Sequence, residues 1–275
     1  MARGPMPAWV PAIVGVVLVV AVGAPLVERW LNSDDRTRTA AKATAAEPGP
    51  APSAGELPPL RFTETRLGAA PGRQIVFDRA LPGHVLACQS ESHDGGRTWS
   101  AMAASGPGGP CGDAPPASWP SAVSAWTQAS DGTIYATVSE PGRRPHLRWA
   151  PAVGGPWRAV ATPGDVGAVA ADGARVYVAA GMLGRGHQDA WDWVRWPPNV
   201  GIRGVTAVGA TVVAWGSVDG DSRGGYVVSR DGGARLQLVI HAGRPAWAAL
   251  DPHRPSDLLV VGDDGSLTRL RMSPG

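Results

Sequence analysis

Ser92-His93-Asp94-Gly95-Gly96-Arg97-Thr98-Trp99 is the stretch from which the fold can be read. Each residue type has a physical task in a tight reversal between two β-strands. Asp94 can fold its carboxylate back onto the backbone N–H groups ahead of it, forming an Asx-turn. The two glycines accept positive φ without a Cβ clash, which a hairpin reversal needs. Thr98 suits the strand leaving the turn, and Trp99 can bury a large ring against the sheet.

The front half of the stretch returns as Ser229-Arg230-Asp231-Gly232-Gly233, followed by Ala234-Arg235-Leu236 in place of Thr-Trp. Asp94 and Asp231 are 137 positions apart (231 − 94), or three units of about 46, a spacing typical of propeller blades. Short apolar runs mark the same phase elsewhere: His84-Val85-Leu86-Ala87, Thr133-Ile134-Tyr135-Ala136, Arg175-Val176-Tyr177-Val178, Thr211-Val212-Val213-Ala214 and Asp257-Leu258-Leu259-Val260. Four of them follow a glycine-bearing turn, at Pro82-Gly83, Asp131-Gly132, Asp172-Gly173 and Gly209-Ala210. Short β-branched runs punctuated in this way predict an all-β protein. No amphipathic helical stretch of useful length follows residue 30.

Five phases predict about five four-stranded blades, or six if a degenerate one is hidden in the loops. The last phase ends near Met272, one strand short, whereas Arg61-Phe62-Thr63-Glu64-Thr65-Arg66-Leu67 alternates like a strand without a partner. A ring left open would expose sheet edges. Residues 61–67 are therefore expected to complete the terminal blade. A β-sandwich is the main competing fold, but it leaves the recurrence unexplained.

At Ser92, Asp94, Gly96, Thr98 and Trp99, and again at Ser229, Asp231 and Gly233, the chain resembles the Asp-box repeats of the BNR β-propellers. That superfamily includes sialidases, sortilin-type (Vps10) domains and photosystem II assembly-factor propellers. The resemblance implies that the boxes are structural turns on the blade periphery. Sialidases also carry an Arg-Ile-Pro motif, an arginine triad, a Tyr nucleophile with a supporting Glu, and an acid-catalytic Asp. This chain has no Arg-Ile-Pro, three tyrosines (Tyr135, Tyr177, Tyr226), and only Glu64, Glu91 and Glu140 as glutamates in the repeat region. Ordinary glycosidases need two carboxylates across the scissile bond, and most aspartates here sit in Asp-Gly turns. No catalytic residues are assigned, and the chain is read as a non-enzyme.

The first 59 residues differ in character. Trp9 to Val27 is 19 residues without a charge, enough as a helix to cross roughly 28 Å of hydrocarbon. Residues 1–32 are read as a single transmembrane anchor, with a cleaved signal peptide as the closest alternative. Residues 33–59, rich in Ala and Pro, are read as a tether, and residues 60–275 as the propeller. Arg29, Arg36 and Arg38 follow the span and Arg3 precedes it. Taken alone, that count puts the repeats in the cytoplasm. A short N-tail and a spacer of this composition instead suit an extracytoplasmic domain, which is the expectation adopted.

The remaining chemistry is sparse. The net charge of +2 and the lack of a basic stripe give no reason to expect nucleic acid. The six histidines show no metal-ligand spacing, so neither metal nor cofactor is expected. Cys88 and Cys111 are the only cysteines. In an exported domain they would form a disulfide contributing about 3 kcal/mol; in the cytoplasm they would be free thiols. Twelve tryptophans stand against two phenylalanines. Trp191, Trp193 and Trp196, with Arg195, form the candidate binding surface, since Trp and Arg dominate hot spots; the competing reading is that the rings fill space between blades. The expected function is a membrane-anchored, non-catalytic propeller that binds or scaffolds a partner at the cell envelope. The alternative is a glycan-binding or sialidase-like propeller.

Overall fold

Each of the five apolar runs becomes the second strand of its own four-stranded antiparallel sheet. The computed structural model describes residues 58–87, 89–102, 119–120, 122–152, 154–218 and 223–275. Blade I comprises β2 (Val76–Phe77), β3 (Val85–Ala87), β4 (Ser90–Ser92) and β5 (Ser100–Ala101). Blade II is β6 (Val123–Gln128), β7 (Ile134–Val138), β8 (His146–Ala150) and β9 (Arg158–Ala159). Blade III is β10 (Ala168–Asp172), β11 (Arg175–Ala179), β12 (Met182–His187) and β13 (Ala190–Arg195). Blade IV is β14 (Val200–Val208), β15 (Thr211–Val218), β16 (Gly224–Ser229) and β17 (Gln237–His241).

Blade V joins the two ends of the repeat region. β18 (Pro245–Asp251), β19 (Arg254–Gly262) and β20 (Ser266–Pro274) are completed on the outside by β1 (Leu60–Ala69). β1 runs antiparallel to β20 from Leu60 opposite Pro274 to Ala69 opposite Ser266. The expected closure by residues 61–67 is thus present and slightly longer, with one register shift between Arg66 and Gly68. The molecule is a β-propeller of five blades, with no sixth blade among the described residues.

Around the ring the inner strands follow chain order: β6 lies beside β10, β10 beside β14, β14 beside β18, and β18 beside β2. This arrangement explains why the second strands read as continuous apolar runs. On β11, Val176 and Val178 pack towards blade II while Tyr177 and Ala179 pack towards blade IV. On β19, Leu258 and Val260 face blade IV, and Leu259 and Val261 face blade I. Both faces of such a strand are buried, so alternation disappears. Each fully buried Val or Leu contributes about 1.5–3 kcal/mol of transfer free energy. The turns before four of these strands use Gly83, Gly132, Gly173 and Gly209, all at positive φ.

The apolar segment 9–27 and residues 33–57 of the tether lie outside the described residues, as do Cys88 and Cys111 and the disulfide expected between them. Among the described residues no helix is long and apolar enough to cross a membrane.

Candidate functional site

The Ser92–Trp99 turn links the third and fourth strands of blade I, and the Ser229 turn links the same strands of blade IV. In the first, Asp94 Oδ1 accepts from the Arg97 and Thr98 amides at 2.9 Å each. Its Oδ2 accepts from Thr98 Oγ1 at 2.7 Å. The Thr98 amide, the Thr98 hydroxyl and the Ser92 hydroxyl hold the Asp94 carboxyl well below the usual range. Buried Ser92 Oγ donates to Asp94 and accepts from the Gly96 amide, both at 2.8 Å. Trp99 Nε1 donates to Gly96 O at 3.1 Å.

The second box repeats the core of this network, with Ser229 Oγ accepting from the Gly233 amide at 2.8 Å. Arg235 replaces the missing threonine: its amide and guanidinium both donate to Asp231. Burial pushes the Asp231 carboxyl up, but Arg235 and Ser229 outweigh it and bring it down to about 2. Each box is pinned to the first turn of its own blade, Gly95 N to Gly83 O and Gly232 N to Ala210 O, both at 2.8 Å. The space above Gly96 is closed by Leu67, Leu259 and Leu267 of blade V, and that above Gly233 by Leu183 and Tyr177 of blade III. Both boxes therefore lock a blade to its predecessor.

The tryptophan cluster is split. Trp191 and Trp193 stack at 5.9 Å and pack into the interface between blades II and III. Trp191 Nε1 donates to Gln188 O at 2.6 Å. Trp196 packs on the other side, against the core shared by blades III and IV. Arg195 is exposed. Of the candidate residues Trp191, Trp193, Arg195 and Trp196, the first two thus share one blade interface, while Trp196, just beyond β13, meets the other.

The central channel gathers a different set. Residues of all five inner strands line a cavity of about 270 Å³, walled by Val, Ala and Thr together with Trp126, Trp215 and Trp247. Arg79 is the only charged residue among its described lining. Its guanidinium reaches from blade I to blade III, donating to Ala171 O at 3.0 Å and pairing with Asp172 at 3.4 Å. Asp172 in turn accepts from the Gly209 amide of blade IV at 2.6 Å. Inside the ring, Thr127 Oγ1 accepts from Ala171 N and Thr206 Oγ1 from Leu250 N, each bridge spanning 44 residues. Trp126 lines this channel with half its surface exposed (51%).

The three tyrosines lie inside the blades. Tyr135, Tyr177 and Tyr226 are at most 1% exposed. Burial pushes the Tyr135 phenol up to about 12. It pushes Tyr226 higher, and the Glu64 charge adds to the effect. Glu64 itself pairs with His241 at 3.1 Å in an open groove between blades IV and V.

One cluster was missed by sequence spacing. His84, Glu91 and His93 converge beside the first box, with Asp78 behind His84. The Asp78 carboxylate raises the His84 imidazole above its ordinary value, against the effect of burial. The six histidines show no metal-ligand spacing in sequence, yet the β3–β4 hairpin brings together positions seven and nine apart. A His-x₆-Glu-x-His pattern across a predicted hairpin was the available signal.

Fold and channel define the class: a five-bladed β-propeller with an apolar, Arg-strapped channel. No family model matches the chain, and no curated protein matches it in sequence. Among solved structures it is similar to YCF48 bound to D1 peptide, at 14% identity and a TM-score of 0.38, covering 76% of this chain and 94% of that one. It is also similar to a GH74 xyloglucanase from Xanthomonas campestris, at 16% identity and a TM-score of 0.46, covering 73% of this chain but 37% of the enzyme. A gluconolactonase from the same organism is 15% identical with a TM-score of 0.41, covering 69% of each chain.

Proposed function

We propose that this chain is a membrane-anchored, non-catalytic β-propeller of the BNR/Asp-box class that binds or scaffolds a protein partner at the cell envelope, with the propeller extracytoplasmic. The observation that carries this reading is the channel. A glycoside-hydrolysing propeller would need facing carboxylates or an accessible nucleophile at such a site, whereas the described lining of this channel is apolar and strapped by Arg79. The buried tyrosines weigh against a sialidase-type nucleophile in the same way. Trp126 and Arg79 are the side chains we assign to partner contact, since exposed Trp and Arg suit a binding hot spot.

A photo-crosslinking amino acid at position 126 in intact cells tests the reading. A discrete protein adduct that disappears in the Arg79→Ala variant is expected, and externally added protease should cut residues 60–275. Hydrolysis of a panel of fluorogenic glycosides by the purified chain would overturn the non-catalytic assignment. Protection of the propeller in intact cells would overturn the envelope assignment.

A further inference from the structure

We propose that the first blade carries a site for a zinc-class divalent cation, ligated by His84 Nε2, His93 Nε2 and Glu91 Oε2. These ligand atoms all lie within 4.8 Å of one another. His84 Nε2 is 3.2 Å and His93 Nε2 is 3.7 Å from Glu91 Oε2. A tetrahedral zinc ion with bonds of about 2.0–2.2 Å holds its ligands roughly 3.3–3.6 Å apart. The two separations to Glu91 bracket that range and the third is no more than 4.8 Å, so a cation would enter between the three groups once the side chains close around it.

The backbone preforms the arrangement. Val85 pairs with Ser92 across β3 and β4, which makes His84 and His93 neighbours just beyond that pair. Glu91 and His93 are two apart along the chain and so share a face. Behind the ring, Asp78 Oδ2 lies 2.9 Å from His84 Nδ1. That contact directs Nδ1–H at the carboxylate, the carboxylate–histidine arrangement typical of metal sites. Nε2, which faces Glu91 Oε2 at 3.2 Å, is the ligand atom, and the cation would take the place of the proton between them, releasing it to solvent. The His84 side chain is only 11% exposed, yet it stands between two carboxylates; a dication would balance both.

One adjustment is required. The His84 and His93 rings are parallel within 1° at 4.5 Å, whereas a ligated ion lies near the plane of each ring. His84 is held by Asp78, so His93 must tilt, and its 66% exposed side chain leaves it room to do so. Two imidazoles and one carboxylate suit zinc and its transition-metal neighbours, and do not suit the all-oxygen preferences of calcium or magnesium. Three protein ligands leave a fourth position for water or for a group from a partner. Because His93 belongs to the box itself, the bound ion would tie the box to the turn that precedes β3.

The test uses the untagged full chain, stripped of metal and held in detergent. Titration against a chromogenic chelator should show one equivalent of Zn²⁺, and Co²⁺ should give the intense visible bands of a four-coordinate site. Ca²⁺ and Mg²⁺ should not compete. His93→Ala, at an exposed position, and Glu91→Gln should each weaken Zn²⁺ binding at least about 10-fold. Asp78→Asn should weaken it by about 10–100-fold, with metal-free thermal unfolding of the exposed-site variant unchanged. The double variant Cys88→Ser/Cys111→Ser should retain binding. Absence of a stoichiometric equivalent, affinity unaltered by both His93→Ala and Glu91→Gln, or loss of binding with the cysteines would each overturn the proposal.

Discussion

Ser92 shows how much one hydroxyl can organise. It is 1% exposed, accepts from the Gly96 amide and donates to Asp94. Ser92→Ala leaves that buried amide without a partner, which costs about 1–3 kcal/mol; urea unfolding should show a lower midpoint at constant slope. Asp231 gives the matching expectation for pH. Its folded value of about 2 lies below the ordinary 3.8, so its contribution is present above about 3.8 and lost as pH falls towards 2. The thermal midpoints of the native chain and Asp231→Asn should therefore differ most above pH 4 and converge at pH 2. The box residues were readable in the sequence because their hydrogen bonds span two to four positions. The His84–Glu91–His93 cluster was not, because it depends on strand register.

Among the elements, the second strands were the most legible, since burial on both faces demands uninterrupted apolar residues. The outer strands were least so. Trp191, Trp193 and Trp196 look like one patch in sequence, but which neighbour each ring meets is decided by the packing of adjacent blades. Trp126 went unnoticed because an isolated Trp on an inner strand carries no local signal of facing the channel. Inner strands also hold glycines for close packing. A Cβ at Gly204 would run into the ring of Trp215, which is 3% exposed. Gly204→Ala in β14 should destabilise the fold by about 1–3 kcal/mol through overpacking. The same exchange at Gly132, where space is open but φ is positive, tests backbone strain instead; calorimetry of both variants separates the two causes.

For the molecule as a whole, ring closure depends on β1. It supplies the fourth strand of blade V and brings Leu60, Phe62 and Leu67 against that blade's core. Internal deletion of residues 60–69 should leave β20 as an unpaired edge. The expected outcome is association on size-exclusion chromatography with light scattering, and a broadened thermal transition; a sharp monomeric transition would show that three strands suffice. The need for closure was foreseeable from the strand lacking in the last phase, whereas the lack of a sixth blade among the described residues was not, because loop length alone does not distinguish a loop from a degenerate blade.

The β1–β20 pairing also makes the molecule topologically cyclic in all but one covalent link. The Gly275 amide donates to Pro59 O at 2.6 Å, so the propeller's entry and exit points are hydrogen-bonded neighbours. A few residues joining them would turn the ring into a circularly permutable scaffold that could be reopened at any surface turn. Anything fused after Gly275 would therefore start beside Pro59, where Pro58 and Leu60 share a pocket with Arg230, Asp231 and Arg235, so an appended module would begin next to the second box.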